Sequence, residues 1–362
     1  ALTTEGANDG FFIGWDGTNY KPLTQTRTGQ FSISVITINS AFSKDDKYTH
    51  NSALFDLFIA KRGDYAPKLA ALNPSSTKTG HDGYGLNQQD VVILSFLDAY
   101  AGKSSNNLNK AALFPRIPMP NWSVNYDGLG KLEFLKPVFK SIILSHAYRS
   151  TMSMGNFVNN QAFTGGLDDN NFFSGARNPN NDFVAKYVMN TVSITESFSP
   201  LLKFNMNFVD KGKLKGLGAN VELKRDRTIT LSANVPQVME MKGNELNIGS
   251  SYTFPNLEIK RIKIQNKPLK SDLQMNITLS IRKNETTLHK INVDPITLGE
   301  YQYSQPTNGQ NIIAIKSSFT YTLSQNINIR IFYDRTINKP VISTSFPTQT
   351  TNAGVSLRFV IQ

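Results

Sequence analysis

The sequence predicts an all-β fold of the antiparallel transmembrane-barrel kind, with a few short helices in its first third. Three observations predict it. Apolar and polar residues alternate over many separate stretches, as they do where one strand face meets an apolar medium and the other meets water. The connections between those stretches are short, as in an antiparallel meander. The longest dense apolar run, Val91 to Leu97, falls far short of the ~20 residues of a membrane-spanning helix, so strands must make any crossing.

Residues 1–120 read as a mixed segment of strand, helix and loop. Gln30 to Ile38 alternates Phe31, Ile33, Val35 and Thr37, an early strand. Asn51 to Arg62 reads as a helix, with Asn51 as cap, an apolar face through Leu54, Leu57 and Phe58, and Lys61-Arg62 before Gly63. Asp90 to Tyr100, closed by Gly102, reads as a second helix, with a buried strand as the alternative for its Val-Val-Ile centre.

Residues 121–362 carry the run of strands, roughly eleven of them. Ser271 to Arg282 sets Leu273, Met275, Ile277, Leu279 and Ile281 on one face and Gln274, Asn276, Thr278, Ser280 and Arg282 on the other. Asn326 to Arg335 and Asn352 to Gln362 follow the same rule, the latter with Val355, Leu357, Phe359 and Ile361 together. Leu202 to Phe208, Leu217 to Leu223, Ile229 to Val235, Leu246 to Phe254 and Ile313 to Leu323 are further strands. Turns are expected at Arg225-Asp226, Lys283-Asn284 and Ser324-Gln325, and a longer outer loop over Thr336 to Thr351. Between Gly155 and Asp182 lies an Asn-, Gly- and Phe-rich stretch, too polar for either element.

Composition narrows the function. The chain has 362 residues, 39% of them hydrophobic, and no cysteine, which removes disulfide frameworks, thiol catalysis and cysteine-based zinc sites. The +11 charge is spread over turns and strand ends rather than gathered beside aromatic side chains, so no nucleic-acid partner is expected. His50, His81, His146 and His289 include no pair at metal-ligand spacing, and neither a metal nor another cofactor is expected. No nucleophile elbow, phosphate loop or dinucleotide fingerprint occurs, and Asp168-Asp169 lies in a polar loop that would not desolvate a carboxylate, so no catalytic residue is assigned. Ala1 opens without Met or a signal peptide, which suggests a processed chain or the C-terminal piece of a longer one.

Four islands go beyond alternation. They are Pro118-Met119-Pro120-Asn121-Trp122 leading into Tyr126-Asp127-Gly128-Leu129; Leu144-Ser145-His146-Ala147-Tyr148-Arg149-Ser150; Ile194-Thr195-Glu196-Ser197-Phe198-Ser199-Pro200-Leu201; and Phe332-Tyr333-Asp334-Arg335 with Asn338-Lys339-Pro340 and Ser343 to Thr348. Together they resemble the C-terminal part of the SprA/Sov family, the giant outer-membrane translocon of the type IX secretion system of Bacteroidetes. The residues that carry the resemblance are Asn121, Trp122, His146, Tyr148, Arg149, Glu196, Phe198, Pro200, Tyr333, Asp334, Arg335, Lys339, Pro340, Phe346 and Pro347. The resemblance implies that this chain is one sector of a very large barrel that exports folded proteins. It further implies a PorV-type barrel, a plug protein, secreted cargo, the remainder of the barrel and outer-membrane lipid as partners. Leu273, Ile277 and Ile329 would then face lipid, and Asn276, Asn328 and Arg330 the lumen. Two alternatives stay open: a smaller self-closed barrel, and a soluble surface β protein that binds glycan or protein through the Gly155 to Asp182 loop.

Overall fold

The computed structural model of the chain describes residues 8–15, 20–102, 117–164, 173–210, 212, 215–235, 237–264, 267–293, 299–324, 326–342 and 345–359. Along it run β1 (Asn8–Trp15), β2 (Tyr20–Ser34), α1 (Ile38–Ala41), α2 (Ala53–Leu72), α3 (Gln89–Ala101), β3 (Trp122–Tyr126), β4 (Phe139–Asn159), β5 (Tyr187–Val188), β6 (Thr191–Phe208), β7 (Leu217–Ser232), β8 (Gln237–Ile264), β9 (Lys267–Val293), β10 (Glu300–Ser324), β11 (Ile327–Pro340) and β12 (Thr348–Phe359).

All of the strands join one antiparallel sheet in the order β1-β2-β4-β6-β7-β8-β9-β10-β11-β12, with β3 and β5 also paired to β4. Closing a sheet into a barrel requires its first and last strands to pair. Here β1 pairs with β2 and β12 with β11, and no pairing among the described residues joins the two ends. The sheet is open. The expected all-β transmembrane barrel wall is thus corrected to a mixed fold, an open antiparallel sheet with helices on one face. No helix among the described residues is long and apolar enough to cross a membrane.

The helices cover the sheet because their sequences leave them no other place. Every residue of α3 from Asp90 to Leu97 is buried, and a helix apolar all round must be enclosed on all sides. Gln88, not Asp90, caps it: the Gln88 side chain accepts from the backbone N–H groups of Asp90 and Val91 at 2.7 and 3.1 Å. Gly102 ends it in the left-handed region at φ 63°. α2 begins after Ser52 and runs ten residues past the expected stop at Arg62, to Leu72. The reason lies in its own pattern: Tyr65, Ala66, Leu69 and Ala70 extend the face begun by Phe55, Phe58 and Arg62. Both helices pack with Ile33, Met152, Val192, Ile194, Ile229, Leu231 and Val238 of the sheet into one core.

Two expected turns are interior positions of long strands. Arg225-Asp226 lies within β7, which joins the two short strands expected on either side of it, and Lys283-Asn284 lies within β9. Charged residues read as a break in the sequence. Here they sit inside the ladder because Arg225 donates to the Ala41 carbonyl and Arg227 to the Ser40 carbonyl, each at 2.6 Å. The β10–β11 turn falls near Ser324 as expected, whereas the expected long loop is mostly strand, with β11 and β12 paired as far as Asn338↔Thr348.

Candidate functional site

The first three islands converge. Asn121 Oδ1 accepts from the Ser150 backbone N–H at 3.0 Å, and the Trp122 and Tyr148 rings pack at 4.6 Å. Tyr148 in turn packs on Phe198 at 4.8 Å, and His146 Nδ1 lies 2.7 Å from the Leu201 carbonyl. The Tyr148 hydroxyl donates to Glu196 Oε1 at 3.0 Å, and Pro200 follows a cis peptide bond. Arg149 sits opposite Ser197 in the β4–β6 ladder. The last island stands apart, four strands away across β7–β10. Tyr333, Asp334, Arg335, Lys339 and Pro340 lie in β11, where Arg335 donates to Gln349 at 3.0 Å; Phe346 is 88% exposed and, with Pro347, leads into β12.

Beside the converged islands the structure places a charge network that the sequence does not announce. Its members come from five distant stretches: Thr37, Ser40 and Asp45; Glu196; Arg227; Glu240 and Lys242; and His289. Arg227 lies 3.1 Å from Glu196 Oε2 and 3.7 Å from Glu240 Oε1. Thr37 donates to Glu196 at 2.6 Å, and Lys242 reaches Asp45 at 2.6 Å and Glu240 at 3.0 Å. Burial pushes the Glu240 carboxyl up, but His289, Lys242 and Arg227 together outweigh it and hold it down to about 2. Burial also drives the Tyr100 hydroxyl well above its ordinary range. Arg225 and Arg227 continue the strand face of Leu223, Ile229 and Leu231, a spacing that could have pointed here although the residues read as a turn.

That same face runs on, uncovered, toward the C-terminus. Residues two apart share a face and paired residues lie side by side, so the register traces it. From Ile229 and Leu231 it passes along β7 to Leu223, which pairs with Leu246, then to Ile281 and Ile313. Farther out, Phe319 pairs with Ile331 and Ile331 with Val355, while Leu357 pairs with Ile329. The grouping expected for Leu273, Ile277 and Ile329 against Asn276, Asn328 and Arg330 therefore holds, although no lumen lies behind the polar set. Ile315, Ile331, Val355, Leu357 and Phe359 are 42%, 52%, 67%, 56% and 62% exposed. β12 is an edge whose side chains are exposed at every position but Gly354.

The opposite face is polar. Asn207, Asn220 and Asn276 line a shallow depression of about 260 Å³ over Gly218 and Gly249, where a Cβ at Gly249 would collide with the Asn220 amide. The depression holds no ionisable side chain, which leaves it without general acid or base.

The stretch after Gly155 is tied down where it is described. Arg177 pairs with Asp82 at 2.9 Å and lies over the buried Phe183 ring at 4.2 Å, and Phe173 packs against the core. Asp168-Asp169 lies outside the described residues.

A gated passage needs a wall closed about a lumen. The open sheet supplies neither, which overturns the expected translocon pore, the smaller self-closed barrel and the outer-membrane location inferred from them. The partners implied by the resemblance had no other support. No protein-family model matches the chain, and no curated protein matches it. The resemblance to the SprA/Sov family is corrected accordingly: the chain is an open antiparallel sheet with a helical pair packed over part of one face.

Proposed function

We propose that this chain is a non-catalytic binding protein whose C-terminal sheet docks a partner polypeptide. The observation that carries this reading is β12, a twelve-residue edge strand at the end of an uncovered apolar face. An edge strand presents a row of unpaired backbone groups, and natural proteins blunt such edges with charge, proline or a cover. Apart from Arg358, β12 carries neither charge nor proline among its described residues. Contiguous exposed apolar patches mark interaction sites on proteins in water.

The partner is one that adds an extended strand to β12, with its apolar side chains on the side of Val355 and Leu357. Main-chain hydrogen bonds would supply affinity and alternate side chains specificity. Nearer the N-terminus, α2 and α3 already cover the same face with protein, which supports a polypeptide as the cover of the rest. The alternation of Thr350, Asn352 and Gly354 with Thr351, Ala353 and Val355 fits strand addition.

The test places a photoreactive phenylalanine at Val355 or Ile331, and at Ser356 or Arg330 on the other face, in the native cells. Expected is one protein adduct common to Val355 and Ile331, mapped to an alternating apolar and polar segment of the partner and abolished by Leu357→Glu. Adducts to lipid alone, or to a second copy of this chain, would overturn the reading.

A further inference from the structure

Glu240 and His289 are buried on neighbouring strands with polar atoms that make no well-formed hydrogen bond. Both Glu240 carboxylate oxygens, His289 Nε2 and Asp45 Oδ1 are such atoms, and Glu240 has the ionic contacts of Lys242 at 3.0 Å and Arg227 at 3.7 Å. His289 is 0% and Glu240 1% exposed. A buried polar atom left unsatisfied costs about 1–3 kcal/mol, so three residues with such atoms at one point call for an explanation. One donor atom from each of Asp45, Glu240 and His289 lies within 4.8 Å of the others.

The hydrogen bonds behind His289 decide which way its ring nitrogens face. Gln302 Oε1 accepts from the Ser52 backbone N–H at 2.8 Å, while Gln302 Nε2 donates to Asp56 at 2.9 Å, so the amide orientation is set. The Ser304 hydroxyl, 3.2 Å from Gln302 Oε1, must donate to it. Ser304 can then only accept from His289, whose Nδ1 is 2.8 Å away and carries the proton. Nε2 is turned toward Glu240 Oε2 at 3.7 Å, beyond hydrogen-bond distance. On a neutral ring this nitrogen presents the lone pair that a metal ion takes. Metal-bound histidines are held in this manner, by a second hydrogen bond that orients the ring.

We propose that Asp45, Glu240 and His289 bind a divalent transition-metal ion between the segment preceding α2 and strands β8 and β9. One imidazole nitrogen and two carboxylates form a set for zinc, manganese, cobalt or iron rather than for calcium, which takes oxygen ligands alone. Two carboxylates and a neutral imidazole balance the 2+ charge. Three protein ligands leave a coordination position for water. Lys242 bridges Asp45 and Glu240 and, at 20% side-chain exposure, is the member of the cluster with a way out to solvent. The ion takes the place of its ammonium group, and Arg227 stays paired with Glu196. The bound ion fastens the Asp45 segment to the sheet.

The test titrates the purified, chelator-stripped full chain with Co²⁺ and Zn²⁺, reading visible cobalt absorption and metal content per chain. One equivalent is expected, with affinity falling at least tenfold in Asp45→Asn and in His289→Gln. Lys242→Ala keeps all three ligands and removes the competitor, so it is expected to bind at least tenfold more tightly, an effect that partial unfolding does not produce. The proposal is overturned if neither the wild type nor Lys242→Ala binds. It is overturned equally if Asp45→Asn and His289→Gln bind as well as wild type, or if Lys242→Ala does not tighten binding.

Discussion

Arg227 and Glu196 meet at 3.1 Å on adjacent strands, with each side chain no more than 2% exposed. The Arg227 guanidinium also donates to the Ser40 carbonyl and hydroxyl, at 2.6 and 2.7 Å, so one side chain ties α1 to the sheet. Breaking a buried pair by removing one member strands the other charge and costs about 3–5 kcal/mol. Arg227→Met should lower the unfolding free energy by about that amount in urea titration. Adding Glu196→Leu to Arg227→Met should recover part of the loss, because the stranded carboxylate goes with it. A double variant as unstable as the sum of the two singles would show that the pair is not coupled.

Asp90 gives the protein a pH dependence of known sign. Burial raises its carboxyl from 3.8 to about 6, against a lowering hydrogen bond from Gln88. The native state therefore holds this proton more tightly than the unfolded chain, and the contribution is fully present below about pH 4 and lost as pH rises through about 6. A shift of ~2 units corresponds to about 3 kcal/mol. Asp90→Asn is expected to stabilise the protein by up to that amount at pH 8 and to leave it unchanged at pH 4. Equal effects at both pH values would place the origin elsewhere.

Asp82 works in the opposite sense. The Arg177 hydrogen bond, followed by the Thr77 backbone N–H, holds its carboxyl well below the usual range. The tie it makes to the segment around Phe183 is present above the ordinary carboxylate range and lost on acidification. Asp82→Asn should speed hydrogen exchange at Asn178 and Asp182, whose backbone groups close that turn, without changing exchange in β7 or β8. Unchanged exchange at those two residues would mean that Phe183 alone anchors the segment.

Leu357→Glu separates folding from binding. Leu357 is 56% exposed on an edge strand, so its replacement is expected to alter unfolding free energy by no more than about 0.5 kcal/mol. A loss of several kcal/mol would show that the face is covered within the chain itself.

The strands were legible because alternation persists over long distances: Leu273 to Ile281 could be assigned to one face from the residues alone, and its register with Ile313 and Ile315 keeps that face intact. α3 was legible from its terminal glycine, whereas its cap, Gln88, lies two residues before the expected start at Asp90. The long span of β7 was not, because Arg225 and Arg227 looked like a turn until acceptors arrived from Ser40 and Ala41, nearly two hundred residues earlier. Sheet closure was equally hidden, since alternation describes each strand's two faces and says nothing of whether the outermost strands meet. Spacing rules look for ligands close together in sequence. Asp45, Glu240 and His289 are brought together by the fold, and only the lone buried histidine could have hinted at it.

The β8–β9 hairpin outruns the strand on one side of it. β7 leaves β8 at the Leu217↔Tyr252 pair, while β8 continues to Ile264, twelve residues and about 40 Å farther. Over on the β9 side, β10 pairs only as far as Leu273. Beyond those points the hairpin is a two-stranded ribbon, and such ribbons twist strongly and are marginal by themselves. A pull on its tip would unzip rungs singly rather than shear the whole ladder, so under load the molecule yields first at this ribbon while the helix-covered half of the sheet stays whole.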